Sequence, residues 1–204
     1  IFSDLITVDR EGKILKNASI GEYSLSFNKN YFYEGIVSIN ETTDFIFAKP
    51  VKIFTFILRK DIRFSDGITL NADDCIFTLY SLLDESYDGS LSLNMLNIMG
   101  YDKYSGKDYD AEELAEFNEK FNIPQNYNGI SGIIKNDDFS FSVIIKEGNA
   151  SDLYRFCGVK IMPLHYYGDV SKYDYCKGTF GFTKGDITPI KNNNIPVGSG
   201  SYKF

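Results

Sequence analysis

Phe54-Thr55-Phe56-Ile57-Leu58-Arg59-Lys60 leads into Phe64-Ser65-Asp66-Gly67, and Asn71-Ala72-Asp73-Asp74-Cys75-Ile76-Phe77 follows at once. These residue types spell a strand, a tight turn and a capped helix. Aromatic and β-branched side chains fit a pleated, half-buried surface. In Ser65-Asp66-Gly67 the carboxylate can accept backbone N–H groups, and glycine enters positive φ without cost. Asn71 suits an N-cap, and Asp74 three residues on completes a capping box. Asp73 and Asp74 also face the positive end of the helix dipole. Beyond them Ile76, Leu79, Tyr80 and Leu83 recur at i, i+3, i+4 and i+7, the buried stripe of a helix ending near Asp84.

Working toward the N-terminus, residues 61–64 read as a second short strand. Residues 20–50 mix strand and loop signals without a clear division. Asp4-Leu5-Ile6-Thr7-Val8-Asp9 alternates and turns at Glu11-Gly12-Lys13 into Ile14-Leu15, a short hairpin. Toward the C-terminus, Asp110 caps a second helix with Glu113 at N3 and Leu114, Phe117 and Phe121 on one face, stopped by Pro124. Residues 130–135 and 139–146 form a hairpin about Asn136-Asp137-Asp138. Ser151 is the expected cap of a short helix running to Cys157. Residues 159–162 read as a strand ended by Pro163, and residues 171–195 as irregular. Interspersed strands and helices give a mixed α/β (α+β) fold class.

The chain has 204 residues, room for one large domain or two small ones, with a core that needs no metal or disulfide. It is 43% hydrophobic and 24% charged, a globular balance. Phe and Tyr are abundant, Trp is absent, and together with much Ile, Asn and Lys this is the composition an AT-rich genome encodes. The net charge of −7 excludes phosphate-driven nucleic-acid binding and a cationic membrane-surface helix. The chain opens on Ile1 with no initiator Met and no signal-like run, as expected of a mature or excised piece. Of the three cysteines, Cys157 and Cys176 are candidates to pair, and Cys75 reads as a small buried residue.

Candidate chemistry is sparse. The single histidine, His165, has no nucleophile or metal-ligand neighbours by spacing and reads as structural. Gly198-Ser199-Gly200-Ser201 lacks the lysine of a phosphate loop and reads as a turn. The acidic pairs Asp73-Asp74, Glu112-Glu113 and Asp137-Asp138 read as caps or solvated residues, because helix neighbours point to different faces. Asp84, Ser86 and Asp88, with Gly89 and Leu91, reproduce the start of a calcium loop, but Met95 stands where a bidentate Glu belongs. No catalytic residue, metal site or cofactor is expected.

Four segments in order carry a resemblance. Residues 54–60 with Phe64-Ser65-Asp66-Gly67, then Ala72-Asp73-Asp74-Cys75, then Met162-Pro163-Leu164-His165-Tyr166, and last Pro196-Val197-Gly198-Ser199-Gly200-Ser201-Tyr202 resemble bacterial extracellular solute-binding proteins of family 5, the oligopeptide- and dipeptide-binding group of ABC importers. Cys75, Leu164, Ser199 and Ser201 depart from that family's usual residues. The resemblance implies part of a two-lobed periplasmic-binding-protein-like type II fold: the first lobe with its accessory subdomain, roughly 20–165, and a return toward the hinge over 166–204. It implies a non-enzymatic receptor, lipid-anchored on the extracellular face or periplasmic, with no transmembrane helix here. That receptor is monomeric and hands a small ligand, a peptide by expectation, to ABC permease subunits. Tyr87 and Tyr202 are the implied ligand contacts, against the plainer readings of a solvated turn aromatic and a packed strand tyrosine. Arg59, Asp66, Gly67, Asn71, Asp74, His165, Gly198 and Gly200 are the structural motif residues. The competing reading is a repurposed surface module, a sensor, adhesin or regulator on the same fold.

Overall fold

The strand of the opening stretch is the centre of a four-stranded antiparallel sheet. The structure is a computed structural model and describes residues 3–9, 11–16, 20–25, 28–33, 37–91, 93–193 and 197–199. Strand β4 (Lys49–Leu58) starts earlier than its apolar run, because Pro50 is tolerated near a strand's beginning. It pairs on one side with β3 (Val37–Ile46) and on the other with β6 (Ser140–Lys146), which pairs in turn with β5 (Ile133–Asp137). The order is β3-β4-β6-β5. A separate hairpin joins β1 (Ile20–Leu25) to β2 (Asn28–Tyr33), with Ile20 opposite Tyr33.

Period-two alternation sends Phe54, Phe56 and Leu58 to the main core, where Phe56 stacks on Phe141 at 4.8 Å. The other face is covered too. Val51 and Ile144 join Leu114 and Phe117 of α3 (Ala111–Lys120) in a second cluster. Asp110 caps α3 as expected, accepting the N–H groups of Glu112 and Glu113 at 3.1 and 3.0 Å.

Helix α1 (Ala72–Leu83) lies on the main core face. The Asn71 side chain accepts from the N–H groups of Asp73 (2.9 Å) and Asp74 (3.2 Å), and Asp74 accepts from the Asn71 N–H at 2.9 Å, closing the capping box. The helix is buried well beyond its predicted stripe, including Cys75, Phe77, Thr78 and Ser81. The two hydroxyls satisfy themselves on carbonyls one turn back.

Several expectations need correction. Residues 61–64 are not a strand but one arm of a tight loop, held by the single bridge Arg63–Thr69 and bonds from Phe64 N–H to Ile68 and from Leu70 N–H to Ile62. Gly67 turns that loop at φ +93°. Residues 159–162 likewise make only isolated pairings with the N-terminal segment, through Asp4–Lys160 and Leu5 N–H to the Val159 carbonyl. The short helix near 151 is a 3-10 helix, Ala150–Phe156, and its cap is Asn149, two residues before Ser151. Phe121 is the C-cap of α3 rather than an interior position. Cys157 and Cys176 are free thiols, so no disulfide joins them.

The N-terminal hairpin forms as expected around Gly12, with Val8 bridged to Ile14. Helix α2 (Tyr101–Ser105) was not expected; it is fenced by Gly100 and Gly106, both at positive φ. After Pro163 comes α4 (Leu164–Tyr167), and the stretch read as irregular contains β7 (Tyr173–Asp174), β8 (Thr179–Phe180) and α5 (Thr188–Lys191). No helix among the described residues is long and apolar enough to cross a membrane.

Candidate functional site

The motif segments meet around the N-terminus of α1. Asp74 reaches past its capping role to accept the Leu164 N–H at 2.8 Å, tying α4 to α1. His165 then faces the turn, with Nε2 2.7 Å from Asp66 Oδ2 and its ring edge-on to Phe64. Ser65 N–H donates to the Gly198 carbonyl at 2.9 Å, and Arg59 pairs with Asp61 at 2.5 Å. Asp73 accepts from Lys135 (2.9 Å) and Tyr173 (2.6 Å). Burial pushes the Asp74 carboxyl up to about 6, against its two backbone N–H bonds and nearby His165. Burial acts the same way on Asp66, but hydrogen bonds from His165 and the Ile68 N–H outweigh it and hold that carboxyl below its ordinary range. Every oxygen here is engaged within the protein, which makes this hub a brace. Gly200 and Tyr202 lie outside the described residues.

Asp84 and Asp88 also serve the protein. Asp84 is buried and accepts from Ser86 N–H and Oγ and from Gly185 N–H, while Asp88 pairs with Lys191 at 2.9 Å. Both oxygens of Asp84 and Oδ1 of Asp88 are engaged by these partners, and no group of three or more metal-ligating side chains forms among the described residues. The calcium-loop reading of residues 84–91 is therefore set aside. Tyr87 is half-buried and leans on the Phe77–Leu164–Ile187–Ile190 cluster.

The open surface lies just beyond Tyr87. A groove of about 490 Å³ is lined by Ser90 and Leu91 from the loop after α1 and by Asp152, Tyr154, Arg155 and Cys157 from the 3-10 helix and its end. Local sequence fixes that helix. Asn149 and Asp152 form its capping box, and Leu153 and Phe156 insert into the core, with Phe156 5.6 Å from Phe56. Tyr154 and Arg155 are thereby turned outward. Tyr154 is 49% exposed, and Met95, which meets Arg155, is 67% exposed. The Arg155 guanidinium touches Met95 Sδ at 3.8 Å and forms no ion pair among the described residues. Asp152 is the one carboxylate on this lining, and it already accepts the Asn149 N–H. Burial, with Asp4 nearby, raises the Cys157 thiol above its ordinary value. The groove offers an aromatic face, a guanidinium and hydroxyls: the means to bind, without the facing carboxylates that hydrolysis of a glycosidic kind requires.

Residues 48–204, most of the chain, match the family described as bacterial extracellular solute-binding proteins, family 5. The chain belongs to this family. Among solved structures, the fold of this family 5 chain is similar to the oligopeptide-binding protein AppA from Bacillus subtilis, solved with a nonapeptide (17% identity, TM-score 0.55), and to AppA from Clostridium difficile (20% identity, TM-score 0.50). Both likenesses cover 100% of this chain and 28% of the solved one. Haemophilus influenzae OppA, solved with the peptide RPPGFSPFR, is similar over 81% of this chain and 25% of its own (21% identity, TM-score 0.50). The family 5 chain thus spans under a third of the length of these proteins, and what the likeness shows is the fold. No curated protein sequence matches it. Tyr154 and Arg155 escaped the sequence reading because an i, i+1 pair on a 3-10 helix has no periodic signal; the element itself was expected from Ser151, and the Asn149–Asp152 spacing was the signal that could have placed its cap.

Proposed function

We propose that this chain supplies one wall of the ligand cleft of an extracellular peptide-binding component of an ABC importer. The observation that carries the reading is the groove at Leu91, Tyr154 and Arg155, an open, mostly side-chain-lined trough on a rigid core in a family 5 chain. Tyr and Arg are the residue types that concentrate binding energy at such surfaces. An extended peptide can lay an apolar side chain on Tyr154 and Met95 and present a carboxylate or carbonyl to Arg155. Tyr87 and Tyr202 remain proposed ligand contacts. The accessory subdomain over roughly 20–165 and the return over 166–204, the lipid-anchored or periplasmic location, the monomeric state and delivery to permease subunits belong to the same proposal. It involves no catalysis.

The test is peptide binding by the full-length protein that contains these residues. Tyr154→Ala is expected to weaken binding of the peptides that copurify with it by about tenfold, the range of a hot-spot aromatic. Unchanged affinity in a folded Tyr154→Ala protein overturns the groove as the ligand wall.

A further inference from the structure

A second cavity, of about 420 Å³, shares no residue with the groove. It lies among α2, the backbone at Asn128-Gly129, and β8 with the residues after it. Its size falls within the range of small-molecule sites. Two lysines stand on its wall. The Lys103 ammonium donates to the carbonyls of Gln125 (3.4 Å) and Tyr127 (3.2 Å). Lys184 donates to the Tyr104 carbonyl and sits 4.4 Å from the centroid of the Tyr104 ring.

An ammonium has three N–H donors, so at least one remains on Lys103 and two on Lys184. Neither lysine has a carboxylate partner among the described residues. Lys135 and Lys146, by contrast, are each held on acidic side chains. Two acidic groups lie near that wall: Asp84, which accepts the Gly185 N–H, and Glu85, whose Oε1 is 3.0 Å from where a Cβ on Gly185 would stand; neither makes an ion pair with Lys184.

Beside Asn128, Thr179 and two glycines, the rest of the wall is aromatic. Tyr104 and Phe180 are buried, Phe180 stacks on Tyr80 and meets Tyr173 edge-on, and Phe182 meets Phe77 edge-on. The backbones close in tightly. A Cβ on Gly178, whose φ is +71°, would stand 2.6 Å from the Gly129 nitrogen. The cavity therefore combines two ammonium groups lacking counter-ions with a rigid aromatic wall.

We propose that this cavity binds a small aromatic carboxylate, with its anionic end between Lys103 and Lys184 and its flat body on Phe180 and Phe182. A bare inorganic anion would satisfy the lysines but leave the aromatic wall uncovered; an apolar ligand would do the reverse.

The test uses benzoate as probe, benzamide as its neutral isostere and inorganic phosphate as the bare anion, each titrated by calorimetry and by thermal shift. Benzoate is expected to bind and to raise the melting temperature, with benzamide and phosphate at least about tenfold weaker. Lys103→Met and Lys184→Met are each expected to weaken benzoate by about tenfold, the double variant to lose it, and the Lys→Arg variants to keep it. Absence of benzoate binding, equal binding of benzamide or phosphate, or full binding by a folded double variant overturns the proposal. If a methionine variant fails to fold, the three-probe comparison on the unaltered protein decides alone.

Discussion

Asp74 does three jobs with one side chain. It closes the capping box on Asn71, accepts the Leu164 N–H and carries a buried charge beside His165. Its carboxyl is raised from 3.8 to about 6 in the fold, so the native state holds the proton more tightly than the unfolded chain. The native state then binds more protons between about pH 4 and 6, and stability from this group is present below that window and lost as pH rises through it. The loss approaches about 2–3 kcal/mol at 1.36 kcal/mol per pKa unit. Carboxylates held low, such as Glu41 and Asp44 on their lysines, run the opposite way. The Asp74 contribution is isolated by difference: in urea titrations the stability gap between the parent and Asp74→Asn should shrink by about 2 kcal/mol from pH 4 to pH 7. A gap independent of pH would show that Asp74 is not the titrating group. The cap itself was readable from four consecutive residues. The burial was not, because it depends on Leu164, ninety positions away.

At the scale of elements, legibility followed local chemistry. The β5–β6 hairpin and α3 announced themselves through the Asn136-Asp137-Asp138 run and an Asp cap, although the turn itself is Asp138-Phe139 and Asn136 and Asp137 belong to β5. The β3–β4 hairpin did not, because its turn is Phe47-Ala48, where the favoured residues are Asn-Gly. Both residues sit at positive φ, 45° and 62°, a region that costs a side chain roughly 1 kcal/mol or more. Phe47 is also 54% exposed, so little packing offsets that strain. Replacing the pair by Phe47→Asn and Ala48→Gly is expected to raise stability by about 1 kcal/mol, a rise in melting temperature of a few degrees for a chain of this size. The backbone bond from residue 47 N–H to Glu116 Oε1 is kept in the variant. A fall in melting temperature would mean that Phe47 has packing value the exposure does not reveal. Helix α2 was hidden for a different reason: five residues between two glycines are too few to show a 3.6-residue period.

For the whole molecule, the consequence turns on how a one-sided groove binds. Ligand sites in proteins enclose most of their ligand, and affinity comes from surface removed from water and from polar groups held in a dry setting. The groove at Tyr154 and Arg155 is open, and its exposed residues leave a peptide solvated on its outer side. The motif residues Asp66, Asp74 and His165, legible as a family signature, brace α1 against the turn and α4 and line no part of the groove. If the larger part of a family 5 protein supplies the facing wall, residues 1–204 alone should bind peptide only weakly, with a Kd near or above about 1 mM, where the binding free energy is only about −4 kcal/mol. The full-length protein should bind the same peptide far more tightly, and Tyr154→Ala should matter there and not in the isolated chain. Calorimetry that found micromolar peptide affinity for residues 1–204 by themselves would place the whole recognition site on this wall and remove the need for a second one.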